Sequence, residues 1–415
     1  MRDVLPGEVT LRDWAMAQIL TVYRRHGFVR IETPAVESLR LLLRSEGGEN
    51  EKLIYKILKR GERLATAAGA ELADLGLRFD LTVPLVRYYA HNHSRLPQPL
   101  KAIQIGPVWR AERPQQGRYR QFTQCDIDIL GVASEVAEIE LILATTEALA
   151  ALGLKDLTVR LNDRRVLGAM VAHCGFDPER SGSVFIALDK LDKVGREEVA
   201  AELQAAGHAP DAGGRLLDLL GTVATPSSLR ALLGARVEDT VWAALQRILD
   251  TTETQAAGRF RLVFDATLVR GMGYYTGPIF EVQQGDSTSS IAGGGRYDRM
   301  IGRFIGRDVP ATGFSIGFER VIGLLVERGS PVETDGERVA LVFDEAMPAL
   351  GPVLALARDL REQGKQVLLE TRTKRLGKQL QDLETRGFRK IGVVTEDGSV
   401  EWREPRGRSV GEARA

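Results

Sequence analysis

Cysteine, long apolar runs and net charge are what this chain of 415 residues has little of, and each shortage closes off a class of function. The two cysteines, Cys125 and Cys174, are too few for a thiolate metal cluster and read as reduced packing residues rather than a disulfide. No metal ligand is expected. No apolar run reaches the roughly 18 residues of a membrane-spanning helix, and 44% hydrophobic with 27% charged residues is the balance of a soluble globular protein. Met1 is followed at once by Arg2, Asp3 and a Leu5-Pro6-Gly7 turn, not by the apolar run and small-residue cleavage site of a secretory signal. A cytoplasmic location and no membrane role are expected. With 56 basic residues against 56 acidic ones, a polyanionic partner needs a local basic surface rather than a global field.

At roughly 100 to 200 residues per domain, the length predicts two or three domains. Trp14, Ile19, Leu20 and Tyr23 recur at helical spacing between Leu11 and His26, with Gly27 as a stop, and predict a long first helix. The alternating run Phe28 to Pro34 predicts a strand that ends at its proline. Two segments, Ala102 to Gly106 and Gln124 to Ile129, flank a Gly- and Arg-rich connection and predict antiparallel strands around a long loop. A helix is expected from Glu135 to Leu152 and a strand around Leu157 to Leu161, after which Asp163 to Gly258 is dense in Ala, Leu, Glu and Arg and reads as an inserted helical module. Strands return at Leu262 to Phe264 and Ile279 to Val282, and Gly293 to Gly295 reads as a turn. A helix is expected from Phe314 to Arg328 and a linker from Gly329 to Gly336. Strand, helix, strand, helix and strand then follow from Val339 to Thr395, the alternation of a small α/β domain.

The loop from Arg110 to Phe122 holds four arginines within eleven residues. Arginine's planar fork pairs bidentately with carboxylate and phosphate, and Phe122 can stack on a base, so a nucleotide site is chemically sensible. A solvated basic hairpin tip is the alternative. Downstream, Gln124, Asp126 and Asp128 alternate and so project to one face of a strand. Such a face suits a pocket in which Asp128 binds a cationic or NH-bearing side chain, and it equally suits an exposed sheet surface. The segment Leu268 to Gly277 sets Arg270, Tyr274 and Tyr275 among glycines that permit close backbone approach.

In order along the chain, these segments resemble the class II aminoacyl-tRNA synthetases, and specifically the histidyl-tRNA synthetases. Gly27 to Pro34 resembles motif 1, Arg110-x-Glu112 with its arginine-rich loop motif 2, and Gly313 to Arg320 motif 3. The histidine-specific signatures stand as Arg78 to Pro84, Gly117 to Phe122, Leu268 to Gly271 with Tyr274 to Gly277, and Ala292 to Asp298. The resemblance implies an α+β fold: the class II antiparallel sheet flanked by helices, with an inserted helical module and a C-terminal α/β anticodon-binding-like domain. It divides the chain into a first part of the catalytic core (residues 1–163), the inserted module (164–258), a second part of the core (259–329) and the terminal domain (337–415).

The activity it implies is that of a histidine–tRNA ligase, which makes histidyl-adenylate and pyrophosphate from histidine and ATP, with Mg2+ bridging the phosphates, and passes histidine to the terminal ribose of its tRNA. Arg110 and Arg320 would bind the ATP phosphates, and Glu112, Arg113 and Phe122 would place the purine and triphosphate. Histidine would lie among Asp80, Leu81, Thr82, Gln124, Asp128, Tyr274 and Tyr275. Asp80 and Gln124 suit its ammonium, Arg110 its carboxylate, and Asp128 with a tyrosine hydroxyl both imidazole nitrogens. Arg270, also counted with the histidine site, would sit near the α-phosphate and stabilise charge as pyrophosphate leaves. Gln115 would touch the tRNA acceptor end, and motif 1 implies a homodimer. Between Arg372 and Lys390, seven basic residues against two acidic ones suit a phosphate-binding surface.

Two departures stand out. Gly273 occupies a place where the family usually has aspartate, and Glu401 to Ala415 shows no pattern of a final helix. They leave room for a synthetase-like paralog, one that regulates ATP phosphoribosyltransferase or one that passes an activated amino acid to an acceptor other than tRNA. Arg110, Arg270, Arg320 and the terminal domain, which regulatory paralogs tend to lose, speak against the first.

Overall fold

A computed structural model describes residues 1–44, 53–112, 119–222, 225–270, 273–285, 287, 289–329, 337–347, 350–395 and 397–403. The chain divides into two compact units, Met1–Ser330 and Pro331–Ala415. The first is built on β1 (Val29–Arg30), β2 (Val36–Ser38), β3 (Lys56–Leu58), β4 (Ala73–Leu77), β5 (Leu100–Trp109), β6 (Gln121–Leu130), β7 (Leu157–Asp163), β8 (Phe260–Phe264), β9 (Pro278–Gln284), β10 (Ser290–Arg296) and β11 (Ala311–Gly317). Eight of these form one sheet in the order β1-β5-β6-β11-β10-β9-β7-β8, while β2, β4 and β3 pair in a small separate sheet. Only the outer pairs β1 with β5 and β7 with β8 are parallel. Among the described residues no helix is long and apolar enough to cross a membrane.

The first helix spans Pro6–Arg25, with proline in its first turn, where the missing N–H costs nothing, and two arginines in its last, where they complement the helix dipole. Its buried stripe is Leu11, Ala15, Ile19, Val22 and Tyr23, so Trp14 and Leu20 of the expected stripe lie at its margin, half-buried. That stripe packs on the helix Val136–Ala151, which also meets β6, β11 and the helix Asp239–Ala256. Covered on several sides, Val136–Ala151 buries ten of its sixteen residues.

Three local expectations are corrected. The strand predicted to run to Pro34 is only Val29–Arg30, extended by one bond from the Ile31 amide to the Ile103 carbonyl (2.9 Å). Beyond it Arg78 Nη1 donates to the Thr33 carbonyl and its Nε to the Pro107 carbonyl, drawing the segment away from the ladder. Gly293 to Gly295 is no turn but the middle of β10. Glycine is required there by close approach: a Cβ at Gly294 would stand 2.0 Å from the Gly313 carbonyl oxygen. Last, the helix expected from Phe314 begins at Phe318, because Ala311 to Gly317 pairs residue by residue with Leu130 to Gln124 of β6.

Between β7 and β8 the chain runs through the helices Arg164–His173, Ser181–Leu188, Leu191–Ala205, Pro210–Thr222, Pro226–Leu233 and Asp239–Ala256. The second unit holds β12 (Arg338–Phe343), β13 (Gln366–Thr371), β14 (Lys390–Val394) and β15 (Val400–Arg403) in the order β13-β12-β14-β15. The first three are parallel, and β15, which the sequence pattern did not disclose, joins antiparallel. Val339 and Leu341 of β12 pack with Ala357 and Leu360, whereas Ala340 and Val342 pack with Leu380 and Leu383. Burial on both faces explains the unbroken apolar run of that strand.

Candidate active site

A cavity of about 560 Å³ opens on the large sheet of the first unit. Its floor is β6, β10 and β11. Gln124, Asp126 and Asp128 all line it, so the alternation on β6 belongs to a pocket and not to an exposed face. Cross-strand partners are small: Asp128 faces Gly313, Asp126 faces Ser315 and Gln124 faces Gly317. A Cβ at Gly313 would stand 2.0 Å from Asp128 Oδ1.

Asp80 reaches the cavity from the turn before the helix Thr82–Asn92. Its Oδ1 accepts from the Val83 amide (3.1 Å), as a helix N-terminus requires, and its Oδ2 is buried without a partner. Thr82 lines the cavity beside it. Leu81 does not: its side chain is in the core, and its carbonyl accepts from Gln104 Nε2 (3.0 Å). The side chain of Leu81 therefore does not reach the place expected for it in the histidine site.

Tyr274 and Tyr275 also line the cavity and pack edge to face at 4.7 Å between ring centres. The hydroxyl that meets Asp128 belongs to neither. Tyr297 donates to Asp128 Oδ1 at 2.6 Å, leaving Oδ2 without a partner. The clue lay in the motif ending Tyr297-Asp298, to which no role had been attached. Behind it, Arg296 is held by both oxygens of the buried Glu138 (2.7 and 2.8 Å) and donates to the carbonyls of Val132 and Ser134. Asp298 accepts from the Ala311 amide (2.8 Å). Arg296 and Asp298 thus hold the segment that presents Tyr297.

Three arginines line the same cavity. Arg110 sits over the Phe122 ring, 5.1 Å from its centre, and its Nε donates to the Phe79 carbonyl (3.0 Å). Arg270 lies across Gly293, where a Cβ would stand 2.6 to 2.8 Å from its guanidinium, and is steered by Glu281 Oε2 at 3.0 Å. Its Nε has no partner. Glu281 of β9 was not foreseen, since nothing in the sequence marks it. Arg320 Nη1 donates to the Ser290 carbonyl, and its neighbour Glu319 is gripped by Arg12 from the first helix (2.6 and 2.8 Å) and by the Thr123 amide. Glu112 and Arg320 line the cavity too. Arg113 and Gln115 lie outside the described residues. Gly273 is exposed, with open space where a Cβ would stand, so an aspartate would fit there.

Electrostatically, the floor is short of positive charge. Burial pushes Asp80 up to about 6 and Asp128 up to about 7, against the hydrogen bonds from Val83 and Tyr297. Burial, with Asp128 close by, holds Asp126 well above the ordinary range. Four buried acceptors, Asp80 Oδ2, Gln124 Oε1, Asp126 Oδ1 and Asp128 Oδ2, have no hydrogen-bond partner among the described residues. Such groups are costly to leave unmade, and their concentration in one cavity marks the place of a donor-rich, cationic ligand. Arg110, Arg270 and Arg320, which line the same cavity, suit an anion.

Comparison with known proteins shows the family. The family model described as histidyl-tRNA synthetase matches residues 1–321. A histidine–tRNA ligase of Leifsonia xyli subsp. xyli is 47% identical over 412 residues, covering 96% of this chain and 94% of that one. Among solved structures, histidyl-tRNA synthetase from Nostoc sp. PCC 7120 superposes with a TM-score of 0.75 at 26% identity, covering 97% of this chain and 95% of that one. A Bacillus halodurans protein titled ATP phosphoribosyltransferase regulatory subunit/histidyl-tRNA synthetase shares the fold, with a TM-score of 0.73 at 21% identity and coverage of 95% and 96%.

Proposed function

Since the chain belongs to the histidyl-tRNA synthetase family and is a histidine–tRNA ligase, we propose that the cavity on its large sheet is where histidine is activated and then transferred. One observation carries the assignment: four buried acceptor oxygens without a partner among the described residues and three arginines line the same cavity. That is the complement of histidine lying beside a triphosphate. The ammonium belongs with Asp80 and Gln124, and the imidazole with Asp128, whose Tyr297 bond leaves Oδ2 free for a ring N–H. A pocket built to pair donors rejects a side chain that lacks them by far more than it would reject a missing methylene.

In the first step a histidine carboxylate oxygen attacks the α-phosphorus of ATP and the bond to pyrophosphate breaks. Arg110 orients the carboxylate and, with Arg320, the phosphates; Phe122, already stacked on Arg110, offers its face to the purine. Arg270, held in place by Glu281, faces the charge that grows on the α-phosphate oxygens. In the second step a terminal ribose hydroxyl of the tRNA attacks the histidyl carbonyl and AMP leaves. Gln115 is assigned to the acceptor end, and Arg113, with Glu112, to the nucleotide. Among the described residues no cluster of three or more His, Cys, Asp or Glu is placed to hold a metal ion, so Mg2+ is read as entering with ATP as part of the substrate.

We further propose a cytoplasmic homodimer formed through motif 1, and the division into core, helical module (164–258) and tRNA-contacting terminal domain (337–415). The test is histidine-dependent exchange of pyrophosphate into ATP, followed by transfer to histidine tRNA. Absence of exchange overturns the assignment, and exchange without transfer redirects it to an acceptor other than tRNA. Sedimentation of the active species tests the dimer.

A further inference from the structure

Asp126 has no part in the assignment above, although it lies between Gln124 and Asp128 on the same face of β6. It is 4% exposed, and its Oδ1 has no partner. Burying a carboxylate with an unmet oxygen is expensive, and no feature of the fold's packing calls for it. Directly opposed residues of neighbouring strands share a face, and those opposite Asp126 are Gln104 and Ser315. Gln104 donates to the Leu81 carbonyl (3.0 Å), inside the turn that carries Asp80 and Thr82. Ser315 accepts from Gln124 Nε2 (3.1 Å). The serine thereby settles the orientation of the Gln124 amide, turning Oε1 towards the cavity. Asp126 therefore adjoins Asp80 on one side and Gln124 on the other.

Counting donors gives the unpaired oxygens their roles. Histidine with a neutral ring has four N–H bonds, three on the ammonium and one on the imidazole. Four buried acceptors of the cavity have no partner among the described residues. Asp128 Oδ2 belongs to the ring, because Tyr297 fills the other oxygen of that carboxylate. Three remain for a group that needs three. We propose that Asp126 is a specificity-determining residue that accepts one N–H of the histidine ammonium, completing with Asp80 Oδ2 and Gln124 Oε1 a three-point cradle for that group. The proposal rests on the histidine assignment and extends it: the pocket recognises a primary α-ammonium through all three of its N–H bonds.

Asp126→Asn keeps the shape but replaces an acceptor oxygen by an N–H donor. Pyrophosphate exchange is read with histidine, and calorimetric binding with histidine, with histamine, which keeps ammonium and ring, and with imidazolepropionate, which keeps ring and carboxylate but has no ammonium. The expected result is a loss of about tenfold or more for histidine and histamine, as for a hydrogen bond to a charged group, with no change in imidazolepropionate binding or in the KM for ATP. Equal weakening of imidazolepropionate, or an unchanged KM for histidine, overturns the proposal. Asp126→Ser, smaller and equally neutral, is read with the same three compounds so that a folding defect in one variant does not decide the matter. A wild-type protein without histidine-dependent exchange overturns the underlying assignment instead, which separates the two failures.

Discussion

The Tyr297 hydroxyl donates to Asp128 Oδ1 at 2.6 Å while Asp128 Oδ2 is left unpaired in the cavity. A carboxylate held by one oxygen presents the other in a defined direction. Tyr297→Phe removes a bond of the kind worth about 1.5–3 kcal/mol to a charged group, so the KM for histidine should rise roughly 10- to 100-fold. The KM for ATP should not move. Steady-state kinetics in both substrates checks this, and a parallel rise in both would place Tyr297 outside histidine recognition.

The raised acids predict a pH dependence with a definite sign. Burial pushes Asp128 up to about 7 and Asp80 to about 6, well above the ordinary carboxylate range. Between about pH 4 and 7 the unfolded chain has released those protons while the empty folded protein keeps them, so these groups make stability fall as pH rises through that window. Asp128→Asn should flatten part of that fall in melts taken between about pH 4.5 and pH 8. Histidine, whose ammonium favours the ionised carboxylates, should stabilise the wild type more at the upper end. A slope of the same steepness in the variant would contradict the assignment.

Neighbouring glycines of β10 should fail in different ways. A Cβ at Gly293 meets only the guanidinium of Arg270, the far end of a flexible side chain, at 2.6 to 2.8 Å. Gly293→Ala should fold with nearly wild-type stability and lose pyrophosphate exchange through a displaced Arg270. A Cβ at Gly294 meets the Gly313 carbonyl at 2.0 Å and Phe314 Cα at 2.8 Å, backbone that cannot yield without breaking the sheet. Gly294→Ala should lower the melting temperature sharply. Measuring exchange and melting on both variants decides whether the two effects separate.

Arg296 and Glu138 form a buried bidentate pair behind the segment that presents Tyr297. Glu138→Gln strands a buried guanidinium charge and should cost about 3–5 kcal/mol in urea unfolding. Arg296→Met combined with Glu138→Gln should recover part of that loss, because the orphaned charge is then gone. If the double variant is no more stable than the single one, the pair is not the reason both residues are buried.

Much of this protein was legible before any coordinate. The first helix, the β5–β6 hairpin and the βαβαβ order of the second unit follow from periodicity and punctuation, which are local properties of the chain. So does the shared face of Gln124, Asp126 and Asp128, since side chains two apart on a strand must project together. Order along the sequence also singled out Asp80, Arg110, Arg270 and Arg320, and the fold gathers all four at one cavity. Other features depend on what stands opposite a residue, which spacing along one segment does not contain. Whether the β6 face is pocket or surface is decided by Gly313, Ser315 and Gly317 across the ladder. Gly293 to Gly295 reads as a turn until Arg270, Gly313 and Pro278 are seen pressing on it, and Leu81 reads as part of the site until its side chain is found in the core. Tyr297 meets Asp128 across 169 positions of sequence. The sequence by itself determined which chemistry was on hand and which face of each element carried it; the tertiary structure decided which donor meets which acceptor, because long-range packing alone brings those atoms within hydrogen-bonding distance.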